Sequence, residues 1–220
     1  MLELNLNIDK KRPFSILCLG AHSDDIEIGC GGTILGLLAR NPNVSVHWVV
    51  FSAEGARRSE ALESARRFLR LAQSKTMLVK RFRGSFFPYV GSKIKETFEE
   101  LKQACKPDLV LTHYRRDLHQ DHRVISDLTW NTFRDHLILE YEIPKYDGDM
   151  GIPNVFVPLD EKTCRAKVRH LLESFQTQRS KHWFTEDTFM SLLRIRGIES
   201  GPHATYAEAF YCRKLVLSQR

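Results

Sequence analysis

The apolar run Phe14–Leu19, set between Pro13 and Gly20, narrows the choice of fold more than any other stretch. Short and bounded by chain breakers, it reads as a buried strand. It leads directly into Ala21-His22-Ser23-Asp24-Asp25-Ile26-Glu27-Ile28-Gly29-Cys30-Gly31-Gly32, and Gly32 to Arg40 reads as a helix. In an open α/β sheet such a strand-to-helix turn lies at the carboxyl edge, where these folds bind ligands.

The chain then repeats the alternation. Val44–Phe51, rich in β-branched and aromatic residues, reads as a second strand, and Arg57–Leu71 as a helix with Ala61, Leu62, Ala65 and Phe68 at helical spacing. A third strand is expected over Met77–Phe82, a helix over Ile94–Ala104 stopped by Pro107, and a fourth strand over Asp108–Thr112. Beyond these come a helix over Asp121–Asp135 and strands at Leu137–Ile143 and Val155–Leu159. Helices at Lys162–Phe175 and Thr185–Arg196 follow, then an extended end from Ala204. The pattern predicts an α/β fold, a Rossmann-like three-layer α/β/α sandwich with a mostly parallel sheet. No linker or repeat interrupts residues 1–220, so a single domain is expected. The Gly- and Pro-punctuated stretch Pro144–Pro153 has the length of a functional lid, and equally of a plain connector.

A second polar cluster, Asp117-Leu118-His119-Gln120-Asp121-His122, follows the fourth strand and lands on the same sheet edge. His22 and Asp25 are three apart, as are His119 and His122, a spacing that lets side chains converge. His and Asp suit a borderline divalent cation, and a catalytic site needs about three protein ligands and an open position. On spacing alone His119, His122 or both serve as ligands. Each cluster taken singly also reads as helix caps or a solvated loop. Their equivalent strand-end positions favour one shared site.

Composition removes other classes. No apolar run approaches the ~18 residues of a membrane span, and Met1–Lys11 lacks a signal-peptide core, so a cytoplasmic protein is expected. The 5 cysteines include no Cys-x-x-Cys pair, which argues against disulfides and a thiolate zinc knuckle. The net charge of +6 is spread among acids along most helices, the pattern of solvated faces. Only Lys80–Phe87 has the basic and aromatic character of a nucleic-acid-binding module. That reading leaves both His/Asp clusters unexplained, and no nucleic-acid partner is expected.

The motifs resemble those of the LmbE-like, or PIG-L, deacetylases. Ala21–Gly32 resembles the family signature Ala-His-Pro-Asp-Asp-x-Glu-x-Gly-x-Gly-Gly, and His119-Gln120-Asp121-His122 resembles His-Pro-Asp-His. Phe175-Gln176-Thr177-Gln178 is similar to a later His-x-Ser-Gln segment, with Phe175 replacing a common His. Tyr206-Ala207-Glu208-Ala209-Phe210 is similar to a terminal Ala-Glu-x-Phe. Ser23 and Gln120 stand where Pro is usual, a change in turn rigidity rather than chemistry.

The resemblance implies a zinc-dependent amidohydrolase. It would remove the N-acetyl group from an N-acetylamino sugar such as N-acetylglucosamine, or from a nucleotide-sugar, glycan or glycoside conjugate. His22, Asp25 and His122 would bind Zn2+, with Fe2+ or another divalent metal suited to the same ligands. Asp24 would be the general base, His119 a protonated donor to the oxyanion, and Asp121 the residue orienting its neighbours. Arg57 and Arg58, with Glu60, match a region where the family carries Arg and Glu, and are substrate-binding candidates. Arg115 and Arg116, just before His119, are natural contacts for a substrate phosphate. His113 reads as structural, and His47 as packing or surface. The expected partner is a small-molecule or glycan substrate bearing an N-acetyl group, and a homo-oligomer stays open. A hydrolase of another amide, or a hydratase, would use the same metal site.

Overall fold

The structure, a computed structural model, describes residues 3–6, 8 and 11–217. Its sheet has the strands β1 (Phe14–His22), β2 (Val44–Ser52), β3 (Ser74–Val79), β4 (Leu109–His113), β5 (Leu137–Tyr141), β6 (Val155–Leu159) and β7 (Tyr206–Tyr211). They run in the order β3-β2-β1-β4-β5-β7-β6. β1 to β5 pair in parallel, whereas β7 is antiparallel to both β5 and β6. The helices are α1 (Asp25–Arg40), α2 (Gly55–Phe68), α3 (Gly91–Ala104), α4 (Gln120–Thr132), α5 (Glu161–Ser174) and α6 (Glu186–Ser200).

Side chains alternate across the sheet, so each buried strand feeds two cores. Ile16 and Cys18 of β1 join Ile26, Ile34, Phe68, Leu171 and Phe189, the core under α1, α2, α5 and α6. Leu17, Leu19 and Ala21 join Ile94, Phe98 and Ile125 under α3 and α4. A strand covered on both faces has no solvent side to mark with polar residues, which is why β1 is written as an unbroken apolar run. The three-layer α/β/α arrangement is therefore the one expected.

α1 starts at Asp25 rather than near Gly32, so the glycines lie inside the helix. Their role is close approach. A Cβ on Gly29 would fall 2.1 Å from the Tyr141 ring, and one on Gly32 would fall 2.5 Å from Leu159. Glu208 of β7 accepts hydrogen bonds from the Gly32 and Thr33 amides at 2.8 and 2.6 Å and pairs with the buried Lys167 ammonium at 2.6 Å. The terminal Ala-Glu-x-Phe element thus ties the last strand to α1 and α5. β3 ends at Val79, and the basic and aromatic stretch after it is a loop whose Phe82 and Phe87 pack into the second core.

β1 lies between β2 and β4, and the connections that follow β1 and β4 diverge there, α1 to one face and α4 to the other. The turns after β1 and β4 are consequently neighbours at the carboxyl edge, the switch point of an open sheet.

Candidate metal centre

Three side-chain atoms converge above that switch point. His22 Nδ1 lies 3.2 Å from His122 Nε2 and 3.5 Å from Asp25 Oδ2, and His122 Nε2 is 3.6 Å from the same oxygen. Donors about 2.0–2.2 Å from a tetrahedral cation stand about 3.3–3.6 Å apart. The triangle therefore matches one face of such a site, with two nitrogens and one carboxylate oxygen that suit a divalent metal.

Each imidazole is held from behind by a carboxylate. His22 Nε2 is 3.0 Å from Asp121 Oδ2, and His122 Nδ1 is 2.9 Å from Asp117 Oδ2. A carboxylate on the far nitrogen keeps a proton there and leaves the near nitrogen free for a cation. The Ser85 and Phe87 amides grip the Asp121 carboxylate at 2.5 and 3.1 Å. Ser85 is a non-glycine residue at φ 66°, a left-handed conformation that turns its N–H toward Asp121. Lys145 pairs with Asp117 at 3.0 Å, and Asp117 also accepts from the His119 amide at 2.8 Å.

Charges divide the adjacent aspartates. Burial pushes the Asp24 carboxyl up, opposed chiefly by Arg57, whose Nη2 stands 3.0 Å from Asp24 Oδ1. Burial acts on Asp25 too, but His122, His113 and His22 outweigh it and hold that carboxyl well below the usual range. Asp24 occupies the N-cap position of α1 without capping it, so its carboxylate faces Arg57 instead. Arg57 Nε also donates to Ser23 Oγ at 2.9 Å.

His119 differs from the expectation. Its Nδ1 accepts the Asp121 amide at 3.2 Å, which leaves Nε2 to carry the proton of a neutral ring. Burial first, then the charge of His22, pushes its pKa down. Asp121, Asp25 and Asp117 favour a charged ring at His119, but burial and the His22 charge outweigh them. His119 remains a donor through Nε2, as a neutral ring.

A cavity of about 280 Å³ opens over these groups, lined by His22, Asp24, Asp25, Arg57, His119 and His122, with Lys145, Tyr146, Asp147, Lys181 and Trp183 at its lip. The structure brings Arg57 into it and leaves three other arginines outside. Arg58 donates to the Val79 carbonyl, Arg115 pairs with Asp127 at 3.2 Å, and Arg116 is exposed and does not line the cavity. Glu60 holds the Thr177 amide and hydroxyl at 2.9 and 2.6 Å, a loop brace. His113 is buried beneath the site, its Nε2 3.2 Å from Asp25 Oδ2 and its ring stacked on His122 at 3.9 Å. Asp117 was visible in the second cluster without an assigned role. Its spacing of five residues before His122, across a helix start, was the signal.

The family model described as PIG-L, GlcNAc-PI de-N-acetylase, matches residues 17–133, more than half of the chain. The chain belongs to the PIG-L family. Solved structures extend the likeness of this PIG-L chain beyond the matched residues. The conserved protein TT1542 from Thermus thermophilus is 18% identical, with TM-score 0.71, over 92% of this chain and 96% of that one. N,N'-diacetylchitobiose deacetylase from Pyrococcus horikoshii is 22% identical, with TM-score 0.62, over 92% and 84% of the two chains. The 4-carboxy-2-hydroxymuconate hydratase from Pseudomonas putida is 16% identical, with TM-score 0.68, over 94% and 99%. At these identities the solved structures share the fold with this PIG-L chain. Among the described residues, no helix is long and apolar enough to cross a membrane.

Proposed function

We propose that this PIG-L protein is a zinc-dependent N-deacetylase acting on an N-acetylamino sugar or its conjugate, with residues 1–220 serving as one catalytic domain. The observation that carries the reading is the His22–Asp25–His122 triangle with a buried second carboxylate, Asp24, beside it at the floor of one cavity. A divalent cation held by the three donors supplies Lewis-acid polarisation of the amide carbonyl and of the attacking water.

The chain's own groups do the rest. Asp24, whose carboxyl burial raises above its ordinary value, takes a proton from the water as the water oxygen bonds to the acyl carbon. The same carboxyl returns that proton to the nitrogen as the C–N bond breaks, releasing acetate and a free amine. His119, neutral with its proton on Nε2, donates to the oxygen that gains charge, an interaction strongest in the transition state. Arg57 orients the Asp24 carboxylate through Oδ1. Asp121 and Asp117 fix the two imidazoles.

The test is released acetate and free amine from a panel of N-acetyl sugars with zinc-loaded protein. Asp24→Asn keeps its bond to Arg57 through the amide oxygen but accepts no proton, so it should retain zinc and lose about 10²–10⁴-fold in kcat. Turnover near wild type in that variant refutes Asp24 as the base. A hydratase of the same fold supports a second reading, addition of water to a carbon–carbon double bond, which the same assay separates because no acetate is released.

A further inference from the structure

Gln120 carries neither a charge nor a metal-binding atom, and its place in the second motif suggested an effect on turn rigidity alone. Its side chain has a specific contact. Gln120 Nε2 donates to the Ser85 carbonyl at 2.5 Å, reaching a loop 35 residues earlier in the chain. The next residue of α4 holds the other side of the same serine, because the Ser85 amide donates to Asp121 Oδ2 at 2.5 Å. Consecutive residues of one helix thus hold the N–H and the C=O of Ser85.

Holding both peptide groups sets the dihedrals between them. The result is φ 66°, which a residue with a Cβ rarely adopts. Released from one of the two bonds, a serine favours negative φ, and its N–H swings away from Asp121. The same Asp121 Oδ2 stands 3.0 Å from His22 Nε2, so the geometry of Ser85 reaches the imidazole.

The rest of the loop is pinned. Before the turn, the Phe82 amide donates to the Phe51 carbonyl at 3.1 Å. After it, Phe87 is fully buried and its amide donates to Asp121 Oδ1 at 3.1 Å. Gly84 lies against the edge of the His22 ring, where a Cβ would come 3.8 Å from Cδ2. Ser85 is therefore the unit of this loop whose conformation depends on α4.

We propose that Gln120 is a positioning residue of the metal centre, an inference that rests on reading His22 as a ligand. Its amide holds Ser85 in the left-handed conformation, which keeps the Ser85 N–H on Asp121 and the Asp121 carboxylate on His22. Proline, which the motif resemblance expects at position 120, has no side-chain donor and makes no such bond. Glycine adopts positive φ without steric cost, so a glycine at position 85 needs no clamp.

The experiment makes Gln120→Met in the full chain, and makes it again in a Ser85→Gly background. Met matches Gln in length and lacks the donor. Zinc affinity is read by competition with a chelator, protection of the residue-85 amide by hydrogen exchange without metal, and the fold by urea unfolding in excess chelator. Gln120→Met should weaken zinc binding and lower that protection about three- to tenfold, the worth of one hydrogen bond. In the Ser85→Gly background the same change should cost less than about twofold, since the two positions act as one unit. Equal losses of affinity in both backgrounds overturn the proposal. So does a fall in stability with affinity and protection unchanged, which would make Gln120 structural only. If the wild-type protein binds no zinc, the reading of the metal centre fails and hydrogen exchange decides on Gln120. Protection lost in Gln120→Met and kept in the glycine background supports the clamp, and any other pattern overturns it.

Discussion

Asp121 makes the sharpest test of how the centre is built, because it touches a proposed metal ligand without reaching the metal face. Its Oδ2 holds His22 Nε2 at 3.0 Å and the Ser85 amide at 2.5 Å, and its Oδ1 holds the Phe87 amide at 3.1 Å. Asp121→Ala removes the acceptor oxygens of all three donors at once. Losing the outer partner of a ligating imidazole costs typically about 10–100-fold in metal affinity. Two backbone amides are also left without acceptors, at about 1–3 kcal/mol for each that stays dry. Asp121→Asn is milder at His22, since an amide oxygen still accepts. Its NH2 group then faces one of the two backbone donors, so a stability loss of about 1–3 kcal/mol is expected with a smaller loss of affinity.

Two measurements separate these effects. Competition for zinc against a chelator of known affinity reads the metal term, and urea unfolding in excess chelator reads the fold. Both variants should fall in stability, with Asp121→Ala weaker for zinc than Asp121→Asn. Zinc affinity within twofold of wild type in a folded Asp121→Ala protein would refute the role assigned to this carboxylate. Asp121 would then have to act on substrate directly.

Glu208→Gln should destabilise by about 3–5 kcal/mol in urea unfolding, because it strips the buried Lys167 cation of its carboxylate partner. Adding Lys167→Met should restore part of that loss, and a fully stable single variant would overturn the reading. Protonation gives another expectation. Burial opposes a charge on His22, but Asp25 and Asp121 raise it to about 10, while burial and His113 hold His122 down to about 4. The metal-free pair therefore holds one proton across its 3.2 Å contact. An unfolded pair binds two protons below about pH 6.5 and none above it. Metal-free stability should thus rise with pH up to about 6.5 and fall beyond it toward 10. Zinc binding at pH 8 should release about one proton, read by calorimetry in buffers of different ionisation enthalpy. No release would mean that His22 is neutral in the metal-free protein.

The strands, the parallel core of the sheet and the meeting of the two His/Asp clusters were legible because each depends on local signals, whereas the choice of His122 over His119 as ligand came only with the family resemblance. An apolar run bounded by Pro13 and Gly20 marks β1 wherever it packs, and strand ends carry their polar turns with them. The start of α1 was hidden because glycine reads as a turn when its neighbours are unknown. Only Tyr141 and Leu159, far along the chain, reveal that Gly29 and Gly32 serve packing. The insertion of β7 between β5 and β6 is a long-range pairing with no local mark. Arg115 and Arg116 looked suitable by their nearness in sequence to His119, yet Arg115 is turned to Asp127 on α4. The lip residues Lys181 and Trp183 come from a loop some sixty residues past the second cluster, so nothing in the sequence linked them to it.

Asp24 and Asp25 explain why two adjacent carboxylates do not interchange. Asp25 Oδ2 accepts the His22 amide at 2.6 Å and has three imidazoles around it, so its negative charge is fixed and directed to the centre. Asp24 is as deeply buried but has a single cation, Arg57, in direct contact, which is not enough to cancel the cost of desolvation. Neighbouring acids whose surroundings drive their pKa values apart take different tasks: the one held low stays a charged ligand, and the one held high gains and loses a proton. The difference arises from position on α1. Asp25 is its first residue and turns toward the switch point, whereas Asp24, one residue earlier, faces α2 and its arginine. One peptide unit, at the start of one helix, thus separates the proposed ligand from the proposed base.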